Sequence, residues 1–227
     1  MSLGFRIINR GRSVAEEWIE KFRDIPVANI SDVMGRLGAG GATLRPVHGA
    51  KVMSGNAVTV RTRPGDNLVV HYAINTAKPG DVIVVDADGD LSNAIVGEMM
   101  LTSAKLAGLA GMIINGAVRD SSWIRQNGFP VFAAGITHRG PYKDGPGEVN
   151  VPISIGGMVI MPGDLIVGDE DGFVSIPHDQ VQKVYIDALQ KSRKEQKNMG
   201  EILDGTRDRA WVEMRLRSLG CEFPAEV

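Results

Sequence analysis

Two hydrophobic rhythms divide this chain, and one gives way to the other near residue 137. Before that point helical and strand spacings take turns. Val14, Ala15, Trp18, Ile19 and Phe22 recur at helical intervals behind Ser13, Glu16 and Glu17, which predicts a Ser-capped helix stopped by Pro26. A short helix is expected after Ser31 or Asp32, then a glycine-rich loop from Gly35 to Gly41. Residues 51–63, marked by Val52, Val58 and Val60, read as a strand. Residues 66–77 read as a helix closed by Lys78-Pro79-Gly80, and 81–85 as an apolar strand. A helix over about 97–109 leads into a buried strand at 112–114. A short helix after Asp120 and a strand over 130–134 complete the series. Such alternation predicts a partly parallel sheet covered by helices.

Beyond residue 137 the texture changes. Residues 137–150 are polar and rich in glycine and proline, so a loop is expected. Short strands follow over 152–155, 158–160, 165–168 and 173–177, patterned as antiparallel hairpins with Asp171-Gly172 at one turn. From Asp179 to about Leu203 the chain reads as a helix of growing charge, and a last helix is expected over about 207–219. The expected division is an N-terminal helix within 1–24, an α/β core over 25–177 and a helical C-terminal arm over 178–227.

With 227 residues and 43% hydrophobic content the chain can bury a substantial core. Its formal net charge is -2 with both signs dispersed, and no basic run would track a phosphate backbone, so nucleic acid is not an expected partner. Cys221 is the only cysteine, which excludes an intrachain disulfide and suits a reducing cytoplasm. No apolar stretch approaches the roughly 20 residues of a membrane span, and no signal-peptide core is visible. A cytoplasmic protein without a membrane partner is expected.

The stretch from Gly97 to Asp120 concentrates the candidate chemistry. It reads as a helix, a strand and a loop that sets Arg119 beside Asp120 at a strand's carboxyl end, where α/β sheets bind ligands. Glu98 opens the helix, so two carboxylates and a guanidinium can face one pocket, a set suited to a divalent metal and a small anion. Plainer readings stand beside this one. Asp120 ahead of Ser121-Ser122-Trp123 suits a helix cap, and Glu98 suits an ordinary first turn. The Asp86-Ala87-Asp88-Gly89-Asp90 run fails the calcium-loop count, with Leu91 at the sixth position and Gly97 at the twelfth. The glycines from Gly35 to Gly41 lack dinucleotide and P-loop spacing. His48, His71, His138 and His178 form no close zinc-type pair, and no serine, lysine or cysteine sits in a nucleophile's context.

Taken together, Asn29-Ile30-Ser31-Asp32, Asp66-Asn67-Leu68, Ala77-Lys78-Pro79-Gly80-Asp81-Val82, Gly97 through Asp120 and Pro162-Gly163-Asp164 resemble the RraA-like family over roughly residues 25 to 205. Its enzymatic branch contains 4-hydroxy-4-methyl-2-oxoglutarate / 4-carboxy-4-hydroxy-2-oxoadipate aldolases with oxaloacetate decarboxylase activity. The resemblance implies an α/β/β sandwich of the swivelling type with a helical C-terminal arm that packs on a neighbouring subunit, in homotrimers or homohexamers. It implies Mg²⁺ or Mn²⁺ ligated by Asp120, a substrate oxygen held by Arg119, and a pyruvyl carboxylate bound by the amides of Gly97, Glu98, Met99 and Met100. Glu98, where the family more often has Asp, and Glu195 from a neighbouring subunit would reach the metal through water. The family's regulatory branch, which binds and inhibits a ribonuclease, need not keep the Asp after the Arg, and this chain keeps it. The expected function is therefore a class II pyruvate aldolase and oxaloacetate decarboxylase acting on a small oxo acid. The rivals are a non-catalytic regulator on the same fold and a lyase, isomerase or hydrolase using the same site. His71, His138, Arg139 and Lys143 are candidates for reading a second carboxylate of the substrate.

Overall fold

Four strands run parallel through the centre of the molecule because three helical crossovers return the chain to the same edge of one sheet. In a computed structural model that describes residues 2–38, 42–49 and 51–224, these strands are β3 (Met53–Thr62), β4 (Val82–Asp86), β6 (Gly111–Val118) and β7 (Val131–Ile136). They stand in that order, joined by α3 (Leu68–Thr76), α4 (Glu98–Leu106) and α5 (Ser121–Asn127). A short strand, β5 (Ala94–Val96), pairs with the end of β6 just before α4. The far edges are antiparallel or short: β2 (Arg45–Pro46) closes on β7, while β8 (Gly147–Val149) lies between β3 and β1 (Arg6–Ile7).

The strands carry apolar residues on both faces, as buried parallel strands do. Ile83, Val85, Met112 and Ile114 face α3, α4 and α5, whose Val70, Ile74, Leu101 and Ile124 complete one core. Their neighbours Val82, Val84 and Ile113 face the other way, against the hairpin of β9 (Ile153–Ile155) and β10 (Met158–Ile160). A second hairpin, β11 (Leu165–Asp169) with β12 (Gly172–Ile176), pairs with the start of β3. Its Leu165, Val167, Val174 and Ile176 form a third core with α1 (Glu16–Phe22), α2 (Val27–Val33) and the beginning of α6 (Val181–Leu203). These layers make the α/β/β sandwich expected from the sequence.

An extended strap before α1 is fastened by charge. Arg6, Arg10 and Arg12 pair with Glu148, Asp81 and Asp164 at 2.7, 2.6 and 2.9 Å, and all three carboxylates are buried. This strap corrects the expected first helix. Ser13 does not cap it; Val14 is tied by its N–H to Asn56 Oδ1, and α1 starts only at Glu16. The second helix is also displaced. It begins directly after Pro26 rather than after Ser31 or Asp32, because the carboxylate of Asp169 accepts the Val27 N–H at 2.9 Å and supplies a cap from another element. Residues 137–150 are a loop as far as Pro146 but end in the strand β8, whose Glu148 is held by Arg6. Of the expected Gly35–Gly41 loop, residues 39–41 lie outside the described residues. Both hairpins, α6 and α7 (Ala210–Ser218) fall where the pattern put them.

The chain divides into two compact units, Met1–Leu189 and Gln190–Val227. Within the second, α7 buries none of its residues, and Trp211, Met214 and Leu219 are exposed. Among the described residues no helix is long and apolar enough to cross a membrane.

Candidate functional site

The carboxyl ends of β5 and β6 deliver the central residues to one place. The Arg119 N–H donates to Val96 O at 3.0 Å, which locks the exit of β6 to the entry of α4. Asp120 then takes a left-handed backbone conformation, φ 59° and ψ 41°, one that Asp tolerates better than most residues. That turn swings its side chain away from α5, with which it makes no cap bond. Instead Asp120 Oδ2 accepts the N–H of Glu98, the first residue of α4, at 2.9 Å. The carboxylate thus sits on the positive end of α4. Arg119 Nε lies 3.6 Å from the same oxygen, and both side chains are about two-fifths exposed.

Gly97 makes this approach possible. Its φ of −152° is open to any residue, so the requirement is space. A Cβ there would stand 2.5 Å from Asp120 Oδ2 and 2.7 Å from Arg119 Cγ. Of the amides at the start of α4, that of Glu98 is taken by Asp120. Those of Met99 and Met100 donate to no group among the described residues, and they remain available to an anion.

Beside the pair lies a cavity of about 170 Å³ walled by Asn67, His71, Ile95, Val96, Gly97, Met99, Met100, Arg119, Pro141 and Lys143. The loop that carries Pro141 and Lys143 is anchored by Asp66, which is fully buried. Its Oδ2 accepts the N–H groups of Asp144 and Gly145 at 2.7 and 2.9 Å, and its Oδ1 that of Leu68 at 2.9 Å. Burial and, second, the Lys143 ammonium push the His71 pKa below its usual value, so the imidazole is neutral at pH 7.

Gly97, Met99, Met100 and Arg119 therefore meet on one wall, with Asp120 beside them. Glu98 contributes its amide, while its exposed side chain is off the wall. Glu195 is in the second unit on α6, with Lys191 Nζ 2.7 Å from its Oε1. Of the four candidates for a second carboxylate, His71 and Lys143 line the cavity and His138 and Arg139 do not. Sequence reasoning gave no role to Asn67 or Asp66, although Asp66-Asn67 directly before a helix is itself a capping signal.

No group of three or more His, Cys, Asp or Glu side chains able to hold a metal occurs among the described residues. One carboxylate oxygen of Asp120 is unused by hydrogen bonds, and Mg²⁺ typically takes one or two protein carboxylates together with water and substrate oxygens. The residues present fit an ion held in that way.

A mixed sheet with an Arg-Asp pair at the exit of a central parallel strand, set against a helix start and a small cavity, defines an α/β protein with a compact candidate site at that strand exit. The chain belongs to the RraA-like family: the family model described as Aldolase/RraA matches residues 27–175. It is 43% identical over 194 residues to a Halalkalibacterium halodurans protein named "Putative 4-hydroxy-4-methyl-2-oxoglutarate aldolase", covering 86% of this chain and 88% of that one. An uncharacterized protein from Pseudomonas syringae superposes with a TM-score of 0.79 at 25% identity, over 86% of this chain and 92% of the other. The RNA-processing inhibitor RraA from Thermus thermophilis superposes with a TM-score of 0.63 at 29% identity, over 68% and 93%.

Proposed function

We propose that the protein is a divalent-metal-dependent pyruvate aldolase that cleaves 4-hydroxy-2-oxo acids and also decarboxylates oxaloacetate. One observation carries this reading: Arg119 and Asp120 converge on the amide end of α4 at the mouth of the cavity. The name of the 43%-identical relative supports it. Both reactions leave the enolate of pyruvate, whose negative charge must be stabilised as it develops. Mg²⁺ or Mn²⁺ held by Asp120 would supply Lewis acidity there. Arg119 places a guanidinium beside the same developing charge, and the free amides of Met99 and Met100 hold the carboxylate. His71, kept neutral, adds a hydrogen-bonding wall without a second full charge, while Lys143 attracts the far anionic group of the substrate.

Glu98 and Glu195 are assigned to water at the metal, Glu195 from a neighbouring subunit of a trimer or hexamer. The exposed apolar residues of α7 support self-association.

The test is coupled detection of pyruvate from oxaloacetate and from 4-hydroxy-4-methyl-2-oxoglutarate, with Mg²⁺ and with EDTA. Metal-dependent release from both is expected. Release that survives EDTA and Asp120→Asn defeats the metal-dependent reading, and no release at all favours a regulator like the Thermus protein.

A further inference from the structure

Arg119 brings the central positive charge of the site, yet polar contacts hold its side chain only loosely. Among the described residues the guanidinium donates no hydrogen bond. Its one ion-pair contact is Nε to Asp120 Oδ2 at 3.6 Å, too long for a hydrogen bond. A long, partly exposed side chain held in this way samples several rotamers unless packing restricts it.

Two glycines supply the close contacts. A Cβ on Gly97 would stand 2.7 Å from Arg119 Cγ and 3.0 Å from its Nε, and a Cβ on Gly140 would stand 3.3 Å from its Nη1. The side chain therefore meets Gly97 along its stem and Gly140 at its tip. Gly97 is fixed by the start of α4, whereas Gly140 belongs to the exposed loop after β7.

Asn93 holds that loop in place. Its Nδ2 donates to Gly140 O, and the next residue, Ala94, gives its N–H to Arg139 O at 2.8 Å. The nitrogen has to be the atom facing Gly140, because the amide oxygen would be repelled by the carbonyl there. Asn93 is buried and packs against Gly65, where an added Cβ would come within 3.3 Å of Asn93 Cβ, so its amide has little room to turn. The same segment continues through β5 to Val96, whose carbonyl takes the Arg119 N–H, and to Gly97. Residues 93–97 thus set the main chain, the stem contact and the tip contact of one arginine.

We infer that Asn93 is a positioning residue: by pinning Gly140 against Nη1 it sets the direction of the Arg119 guanidinium. This rests on the aldolase reading above. Arg119 walls the cavity and Asn93 does not, so Asn93 acts on the substrate only through the arginine. A group that stabilises a developing enolate has its full effect only when aimed at it, so loss of aim falls on kcat more than on KM.

The experiment measures kcat and KM for oxaloacetate on the wild type, Asn93→Ala, Arg119→Lys and the double variant. Asn93→Ala should lower kcat about tenfold or more and leave KM within about twofold. Lysine at position 119 keeps the charge but has no planar fork to aim, so in that background the same change should cost less than about twofold. Losses that multiply overturn the assignment, because a merely structural role acts equally in both backgrounds, and so does an Asn93→Ala enzyme with wild-type kcat. Gly140→Ala closes a second cycle without touching Arg119. Its Cβ presses on Nη1 only while the loop is pinned, so it should slow the wild type several-fold and add nothing to Asn93→Ala. A further loss in that double variant also overturns the assignment. Wild-type protein that releases pyruvate from neither oxaloacetate nor 4-hydroxy-4-methyl-2-oxoglutarate sinks the aldolase reading itself, a result distinct from multiplied losses in an active enzyme.

Discussion

Asp120 caps a helix that is not its own: its Oδ2 accepts the N–H of Glu98, 22 residues earlier in the chain, at 2.9 Å. One oxygen of the carboxylate is thereby fixed by the start of α4 while the other stays available. Replacing Asp120 by Ala should lower the rate of pyruvate release roughly 10²–10³-fold. It should also cost about 0.5–2 kcal/mol of stability, the usual loss for a helix cap. Steady-state kinetics and urea unfolding on the same preparation check the two parts separately.

Gly97→Ala tests the same contact from the other side. The backbone accepts alanine there, but the new Cβ would lie 2.5 Å from Asp120 Oδ2 and must displace it or the Arg119 stem. Activity should fall as far as in Asp120→Ala, with about 1–3 kcal/mol of overpacking cost. An active Gly97→Ala enzyme would mean that the close approach is dispensable.

His71 gives the pH dependence its sign. Its folded-state pKa lies below 6.5, first through burial and then through Lys143. The unfolded chain therefore takes up a proton near pH 6.5 that the folded protein still refuses. Stability should accordingly decline as the pH falls from 6.5 through the lowered value. Denaturation midpoints followed down from about pH 8 should show that decline in the wild type and a shallower one in His71→Gln.

Trp211 and Met214 are 57% and 64% exposed on a helix none of whose own residues is buried. A nine-residue helix is marginal in water unless it packs on something. Trp211→Glu with Met214→Glu should shift the mass in light scattering from a multiple of 24.4 kDa toward that of one chain. An unchanged mass would remove α7 from the assembly.

Much of this was legible in the residues, and the rest was hidden for identifiable reasons. Strands β4 and β6 announce themselves because long-range pairing buries both their faces, leaving apolar runs over 82–85 and 112–114. The seating of Arg119 and Asp120 at a strand exit follows from the same run. Strand β8 was invisible because Gly147-Glu148-Val149 has no strand pattern; its pairing is secured by Arg6, more than 140 residues away. The start of α2 was misread for a similar reason, since its cap comes from Asp169 on a hairpin that local sequence cannot supply. Asn67 carried no assigned role in the sequence, because its bond to Ile95 O, 28 residues further on, exists only in the folded chain.

The buried carboxylate of Asp66 joins two parts of the pocket into a single mechanical piece. Through three N–H groups it ties the first turn of α3, which carries Asn67 and His71, to the loop that carries Pro141 and Lys143. The floor and the rim then travel together, and a ligand that pulls on Lys143 also tugs the start of α3. Evolution can therefore retune the far end of this pocket by changing side chains, but resizing it by shifting the loop alone would first mean cutting that knot.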